Sequence, residues 1–197
     1  MKTPRKYYKI PNGEVQLAVS ETGQGQTLLF FNGGGATQVT WKRIIGELGG
    51  QYRLVTFDFR NHGQNVPVTP ANHTYEQLVL DLERVVRAVR EQLGARKTAG
   101  IFHSMSARTA MKHAVEVGFP WDALLLFDPP DVPPKGHPQY AAMETFENRL
   151  TEWARNRRRR FATIEELVEE YKASRATRGW VAGEHELFDV LPIGSHV

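Results

Sequence analysis

Short, continuously apolar runs alternate with longer amphipathic segments between residues 27 and 130 of this sequence. Such runs are typical of strands buried on both faces, and the segments between them carry apolar residues at helical spacing. An order of strand, helix, strand, helix, strand, helix, strand predicts an α/β fold with a mainly parallel sheet and helices on both faces. The apolar runs are residues 28–31, 54–57, 98–102 and 123–127.

Two further strands are predicted before the first buried run. A segment at residues 7–10 ends at the turn Pro11-Asn12-Gly13. After this turn, Val15, Leu17 and Val19 alternate with polar residues, which is the pattern of a half-buried strand. The sheet is therefore expected to begin with two strands that are less apolar than the rest.

Polar or glycine-rich segments follow all four buried runs. They are Asn32–Gly35, Asp58–Gly63, His103–Ser104 and Asp128. Ligands of parallel sheets bind at the carboxyl ends of the strands, where these segments should meet. The sequence therefore predicts one functional site at this edge of the sheet.

Two of these segments have chemical interpretations that the pattern leaves open. A serine at an abrupt strand-to-helix turn, such as Ser104, either caps the helix or presents a nucleophilic hydroxyl close to the first helical N–H groups. The run Asn32-Gly33-Gly34-Gly35 lacks the residues that follow the glycines of phosphate-binding loops. It is either a loop whose backbone approaches a ligand or a simple change of direction.

Three segments resemble motifs of the α/β-hydrolases. Residues 102–106, Phe-His-Ser-Met-Ser, resemble the Gly-x-Ser-x-Gly nucleophile elbow, with Phe102 and Ser106 at the glycine positions. Residues 32–35 resemble the His-Gly-x-Gly oxyanion loop, and residues 58–65 resemble the Asp-x-Arg-Gly-His-Gly-x-Ser segment after the fourth strand. The resemblance spans about the first two-thirds of the chain and implies an α/β-hydrolase-like fold in which His62 is structural.

The resemblance implies acyl transfer through a serine nucleophile. Ser104 would attack an ester, thioester or related carbonyl, and the N–H groups of Gly34 and Met105 would hold the oxyanion, with Gly33 and His103 beside them. The implied substrate is a small acyl compound, with no cofactor and no metal. The alternative is a catalytically impaired binding module or truncated pseudoenzyme, in which the lost elbow glycines mark a decayed site.

The family's chain order of serine, acid and histidine suggests the other two catalytic residues. Asp128 follows the sixth strand, and His196 lies near the end of the sequence. Asp128 is either the acid or a cap for the turn at Pro129-Pro130. His196 is either the base or part of a loose chain end.

The predicted domain organisation follows from a change after Pro134, where the apolar runs give way to a charged and amphipathic segment. Residues 1–134 are expected to form the hydrolase-like core, residues 135–182 a helical cap and residues 183–197 a tail. The tail is too short for two more strands with a helix between them, so the C-terminal part of the fold is expected to be incomplete. The open sheet edge is expected to favour a homodimer.

Composition excludes several functional classes. The absence of cysteine excludes disulfides, thiolate metal sites and a cysteine nucleophile, and fits a cytoplasmic protein. No apolar run has membrane-spanning length, and a net charge of +3 from 25 basic and 22 acidic residues gives no reason to expect nucleic-acid binding. The arginine cluster at residues 155–160 either pairs with glutamates of the next helix or binds an anionic part of a substrate.

Overall fold

The computed structural model describes residues 6–12, 15–65, 70–156, 158 and 160–173. The chain divides into two compact units, with the boundary between Pro129 and Pro130. The first unit holds the sheet and all the segments with site motifs that the structure describes. His196 and the predicted tail at residues 183–197 lie outside the described residues.

The first unit is built on a sheet of six described strands. They are β1 Lys6–Asn12, β2 Val15–Thr22, β3 Thr27–Phe31, β4 Arg53–Phe57, β5 Thr98–His103 and β6 Ala123–Phe127. Their order in the sheet is β1-β2-β4-β3-β5-β6. The first two strands run antiparallel to their neighbours, while the last four in that order are parallel to one another. This arrangement confirms the predicted mainly parallel sheet.

Helices cover both faces of this sheet, as the sequence predicts. The helices of this unit are α1 Lys42–Leu48, α2 Tyr75–Gln92 and α3 Met105–Glu116, with 3₁₀ turns at Gln38–Trp41 and Pro70–Asn72. On one face, α2 and α3 pack over a large apolar cluster that includes Phe31, Phe57 and Leu82. On the other face, Trp41 of the first 3₁₀ turn and Ile45 of α1 pack with Phe30.

The strand register brings the motif segments to one edge. Phe31 is paired with Phe57 on one side and with Phe102 on the other, and His103 is paired with Phe127. The parallel strands therefore end at nearly the same level. The segments that leave them emerge side by side, because parallel strands share one carboxyl edge.

A buried ion pair fixes the segment that leaves β4. The Arg60 guanidinium donates to both carboxylate oxygens of Asp81 in α2, at 2.7 and 2.6 Å, and to the Asn72 carbonyl at 3.2 Å. Both side chains of the pair are almost fully buried. The pair ties the loop after β4 to the helix that covers the main core.

Removing one partner of this pair should be much more harmful than replacing both. Asp81→Ala leaves the Arg60 charge buried without compensation, which typically costs about 3–5 kcal/mol of the free energy of unfolding. Arg60→Met combined with Asp81→Leu should cost clearly less. Urea unfolding of the wild-type protein, the single variant and the double variant measures these losses in the free energy of unfolding. Equal losses in the single and double variants would show that the pair does not behave as a buried charge pair.

Apolar side chains are exposed on and near β6. Leu125 and Phe127 of this strand are 46% and 49% exposed, so the prediction that residues 123–127 are buried on both faces is wrong. Val115, Val117 and Phe119, at and after the end of α3, are 87%, 51% and 62% exposed. Exposed apolar side chains beside a strand edge favour association.

We predict that the isolated chain self-associates through these exposed apolar side chains. Phe119→Lys should shift its sedimentation profile towards monomer, because a charge in place of an exposed aromatic ring opposes burial at this position. Ile44→Lys is the matched control, since Ile44 is also 44% exposed but belongs to α1. Equal effects of both substitutions would contradict the prediction.

The second unit contains two described helices, α4 Tyr140–Asn156 and α5 Ile164–Ala173. The Arg158 guanidinium lies 2.5 Å from a Glu166 carboxylate oxygen and 4.0 Å from one of Glu170. For this arginine, pairing with the following helix is therefore the correct interpretation. None of the described helices is long and apolar enough to cross a membrane. Whether residues 135–182 form a cap stays a prediction.

Candidate active site

Ser104 occupies a strained turn between β5 and α3. Its backbone has φ 54° and ψ −122°, a region that residues other than glycine rarely adopt. It holds the cap position of α3, yet its hydroxyl makes no capping hydrogen bond. The capping interpretation of Ser104 is therefore wrong, and the hydroxyl is not used to start the helix.

Ser106 secures this turn to the neighbouring strand. Its buried hydroxyl accepts the His103 N–H at 2.9 Å. The same oxygen lies 2.6 Å from the Phe31 carbonyl oxygen and 2.9 Å from the His103 carbonyl oxygen, and it can donate its single proton to either of them. The Ser104 N–H donates to the Phe127 carbonyl at 2.8 Å. The elbow is thus tied to the ends of both β3 and β6.

The bulky Phe102 is accommodated by a glycine two residues earlier. A Cβ on Gly100 would lie 2.5 Å from the Phe102 ring and 3.0 Å from Trp121, so only glycine leaves room for this ring. Phe102 is fully buried and packs edge-on against Trp121, with ring centroids 5.2 Å apart. The family motif has glycine at the position of Phe102, whereas in this chain the glycine that provides the space is Gly100. A glycine inside an apolar strand is the sequence signal for this arrangement.

A tight glycine turn lies directly against the elbow. The Ala36 N–H donates to the Gly33 carbonyl at 3.3 Å, and Gly35 has a φ of 74°, which closes a turn over residues 33–36. A Cβ on Gly33 would lie 2.9 Å from His103 Nδ1 and 3.1 Å from the Ser104 Cβ. A Cβ on Gly34 would lie 3.1 Å from the Met105 side chain. The structure thus brings together five predicted site residues, Gly33, Gly34, His103, Ser104 and Met105.

Asn32 braces the turn from inside the protein. Its side-chain amide donates to the Gly33 carbonyl at 3.2 Å and also to the Ala36 carbonyl, and the residue is buried. The Gly34 N–H has no acceptor among the residues that the structure describes. An N–H with this freedom, beside a serine turn, is suited to binding an anion.

Buried polar side chains hold the segment after β4. The Asp58 carboxylate accepts the backbone N–H of Gln38 at 2.6 Å and its side-chain amide at 2.9 Å. Burial raises the pKa of Asp58, against the opposing effect of the Gln38 hydrogen bonds. Gly63, with φ 55°, has no space for a Cβ, which would lie 2.2 Å from Asp58 Oδ2. Asn65 donates to the Asp58 and Phe59 carbonyls at 2.8 and 2.6 Å.

His103 is the last residue of β5, and Asp128 directly follows the neighbouring strand β6. Partial burial lowers the pKa of His103, and the Asp128 charge acts in the opposite direction without reversing this shift. His103 is therefore expected to be neutral near pH 7. Asp128 is exposed and has a φ of 47°, a strained value for a residue other than glycine. The structure places Asp128 at the predicted edge.

Two titratable side chains lie away from this edge. His113 is buried between α3 and α2, where its Nε2 lies 2.9 Å from Glu83 Oε2. Over the described ranges, no three His, Asp or Glu side chains come together as a metal site.

A mainly parallel sheet in this strand order, with a strained serine turn facing a glycine turn at its carboxyl edge, defines a protein of the α/β-hydrolase fold. Residues 28–194 match the model of the alpha/beta hydrolase family. The chain belongs to this family. No curated protein matches the sequence.

Solved structures support the same fold at low sequence identity. A thioesterase domain from the curacin biosynthetic pathway has a TM-score of 0.69 at 16% identity, over 95% of this chain and 66% of that one. E-2-(acetamidomethylene)succinate hydrolase has a TM-score of 0.67 at 17% identity, over 93% and 63%. An epoxide hydrolase from Vigna radiata has a TM-score of 0.59 at 22% identity, over 73% and 45%. The chain thus spans between 45% and 66% of the length of these three proteins.

The contact between the glycine turn and the elbow should tolerate no side chain. Gly33→Ala would force the turn away from His103 and Ser104, and overpacking of a close contact typically costs about 1–3 kcal/mol of the free energy of unfolding. Gly46→Ala is the control, because a Cβ there meets nothing within 4 Å. Thermal unfolding of both variants and of the wild-type protein measures this loss. An unchanged melting temperature in Gly33→Ala would contradict the described contact.

Proposed function

We propose that this protein is a hydrolase that cleaves an ester, thioester or related carbonyl bond through a serine nucleophile, Ser104. The observation that carries this proposal is the strained Ser104 turn, whose hydroxyl is not used as a helix cap and which lies against the glycine turn. Backbone strain of this kind costs about 1–3 kcal/mol and persists at functional sites, where it positions a reacting group.

The Gly34 and Met105 N–H groups are the proposed oxyanion donors. Met105 is the first residue of α3, so its N–H points out of the helix N-terminus, where the helix dipole favours negative charge. Gly34 lies beside the Met105 side chain. Loss of one oxyanion donor typically lowers kcat by about 10²–10³-fold.

Asp128 and His196 are the proposed acid and base. Asp128 lies at the same sheet edge as Ser104, directly after β6. The order Ser104, Asp128, His196 in the sequence agrees with the order of serine, acid and histidine in the family. His103 is not suited to provide a positive charge at the site, because burial lowers its pKa and favours the neutral imidazole.

The proposed substrate is a small acyl compound. Two of the three structures described above, which cover 95% and 93% of this chain, are named as a thioesterase domain and as a hydrolase of a succinate derivative. Their names favour a carbonyl substrate, in agreement with an oxygen nucleophile placed beside two N–H donors.

The competing proposal is a non-catalytic binding module. It is motivated by the replacement of the two elbow glycines by Phe102 and Ser106. Both replacements are accommodated locally, because Gly100 leaves space for the Phe102 ring and Ser106 adds hydrogen bonds to the turn. A turn that has kept its strain and gained new supports favours a functioning nucleophile.

A fluorophosphonate probe should label this protein at Ser104. Ser104→Ala should abolish labelling and reduce p-nitrophenyl acetate turnover by about 10⁴–10⁶-fold, as expected when the nucleophile of a catalytic triad is lost. Thr145→Ala is the control, because it removes an exposed hydroxyl from α4. Mass spectrometry of the labelled peptides identifies the modified residue. A folded protein that takes up no label would favour the binding module.

A further inference from the structure

His62, which lies outside the proposed catalytic set, bonds directly to the glycine turn. Its Nε2 accepts the Gly35 N–H at 2.9 Å, and its Nδ1 lies 3.1 Å from the Arg60 carbonyl oxygen. A carbonyl oxygen only accepts hydrogen bonds, so Nδ1 carries the ring proton. Nε2 accepts an N–H, so it carries none. Together the two contacts require the neutral Nδ1–H tautomer.

The bond to Gly35 restricts the part of the turn that holds the proposed donor. The Gly35 N–H lies in the same rigid peptide plane as the Gly34 carbonyl, so the bond limits rotation about the Gly34 backbone. Glycine has no side chain that would impose such a limit by itself. The two preceding glycines, Gly33 and Gly34, lie against the elbow. His62 therefore adds a separate attachment of the turn, through Gly35.

His62 is well supported for this task. Its ring packs against Phe59 and His73, with ring centroids 5.9 and 5.5 Å apart. The backbone before it is held by Asn65, which donates to two successive carbonyls. A side chain that is held rigidly in this way keeps the turn in place and does not move with it.

We propose that His62 is a positioning residue, which keeps the glycine turn in the oxyanion-binding arrangement only while its imidazole is neutral. This inference rests on the proposed function. Protonation places a hydrogen on Nε2, opposite the Gly35 N–H, and two donors cannot bond to each other. The turn is therefore released as the pH falls through the titration of His62. Of the charged groups around the ring, Asp58 favours its protonated form and His73 opposes it, while Arg60 is paired with Asp81.

Three substitutions at His62 separate this role from general structural support. In His62→Gln, the side-chain oxygen can occupy the place of Nε2 and accept the Gly35 N–H. In His62→Asn, the shorter side chain reaches only the place of Nδ1, and His62→Ala reaches neither. The control is His137→Gln, because His137 also accepts a backbone N–H, that of Gln139, in the second unit.

The kinetic test uses p-nitrophenyl acetate turnover and the rate of fluorophosphonate labelling. His62→Asn and His62→Ala should lower kcat by about 10–10²-fold, with little change in KM, because the oxyanion forms only in the transition state. His62→Gln should keep most of the wild-type kcat and should not show the loss of rate at low pH that is due to this histidine. Equal losses in the Gln and Asn variants, or the same low-pH loss in His62→Gln, would overturn the proposal.

A measurement on the wild-type protein tests the anchor without activity. Nitrogen-15 NMR should show an unprotonated Nε2 in His62, and the Gly35 amide resonance should shift as His62 titrates. An Nε2–H tautomer, or a Gly35 resonance that is insensitive to this titration, would overturn the proposal even in an active enzyme. If the wild-type protein reacts with neither probe but shows this coupling, the proposed function fails while the anchoring by His62 stands.

Discussion

The hydroxyl of Ser106 is the contact on which the geometry of the site depends. It lies where β3, β5 and the start of α3 meet, and it bonds to backbone groups of Phe31 and His103. A buried polar group left without a partner costs about 1–3 kcal/mol, so these bonds can offset the strain of the Ser104 backbone next to them. With glycine at position 106, this chain would lose that support. Ser106 thus supports the turn through bonds that a glycine at this position would not make.

The other loops at the carboxyl edge are held by side chains that bond to backbone. Asn32 braces the glycine turn, Asn65 holds the loop after β4, and Asp58 binds the start of the 3₁₀ turn through Gln38. His62 joins the loop after β4 to the glycine turn. Because each loop is bonded to its neighbour, the edge behaves as one connected unit. Such preorganisation is what binding of a transition-state charge requires.

The sequence was sufficient to predict the sheet and the position of the serine turn, because both follow from local patterns. Residues 28–31 and 54–57 are apolar throughout, and the amphipathic segment at residues 75–92 has a clear helical period. The partnership of Gly100 and Phe102 was not predicted, because it depends on Trp121, which is distant in sequence. The bond from His62 to Gly35 likewise joins residues whose spacing carries no pattern. The roles of Asp128 and His196 stay predictions, since His196 lies outside the described residues.

The most direct test of the account is a crystal structure of the protein after reaction with a phosphonate ester that mimics the tetrahedral intermediate. We expect a covalent bond between phosphorus and Ser104 Oγ. One phosphonyl oxygen should lie about 2.7–3.1 Å from the backbone nitrogens of Gly34 and Met105. An adduct on another residue, or a phosphonyl oxygen on Ser104 that points away from both nitrogens, would contradict the assignment of this turn as the catalytic site.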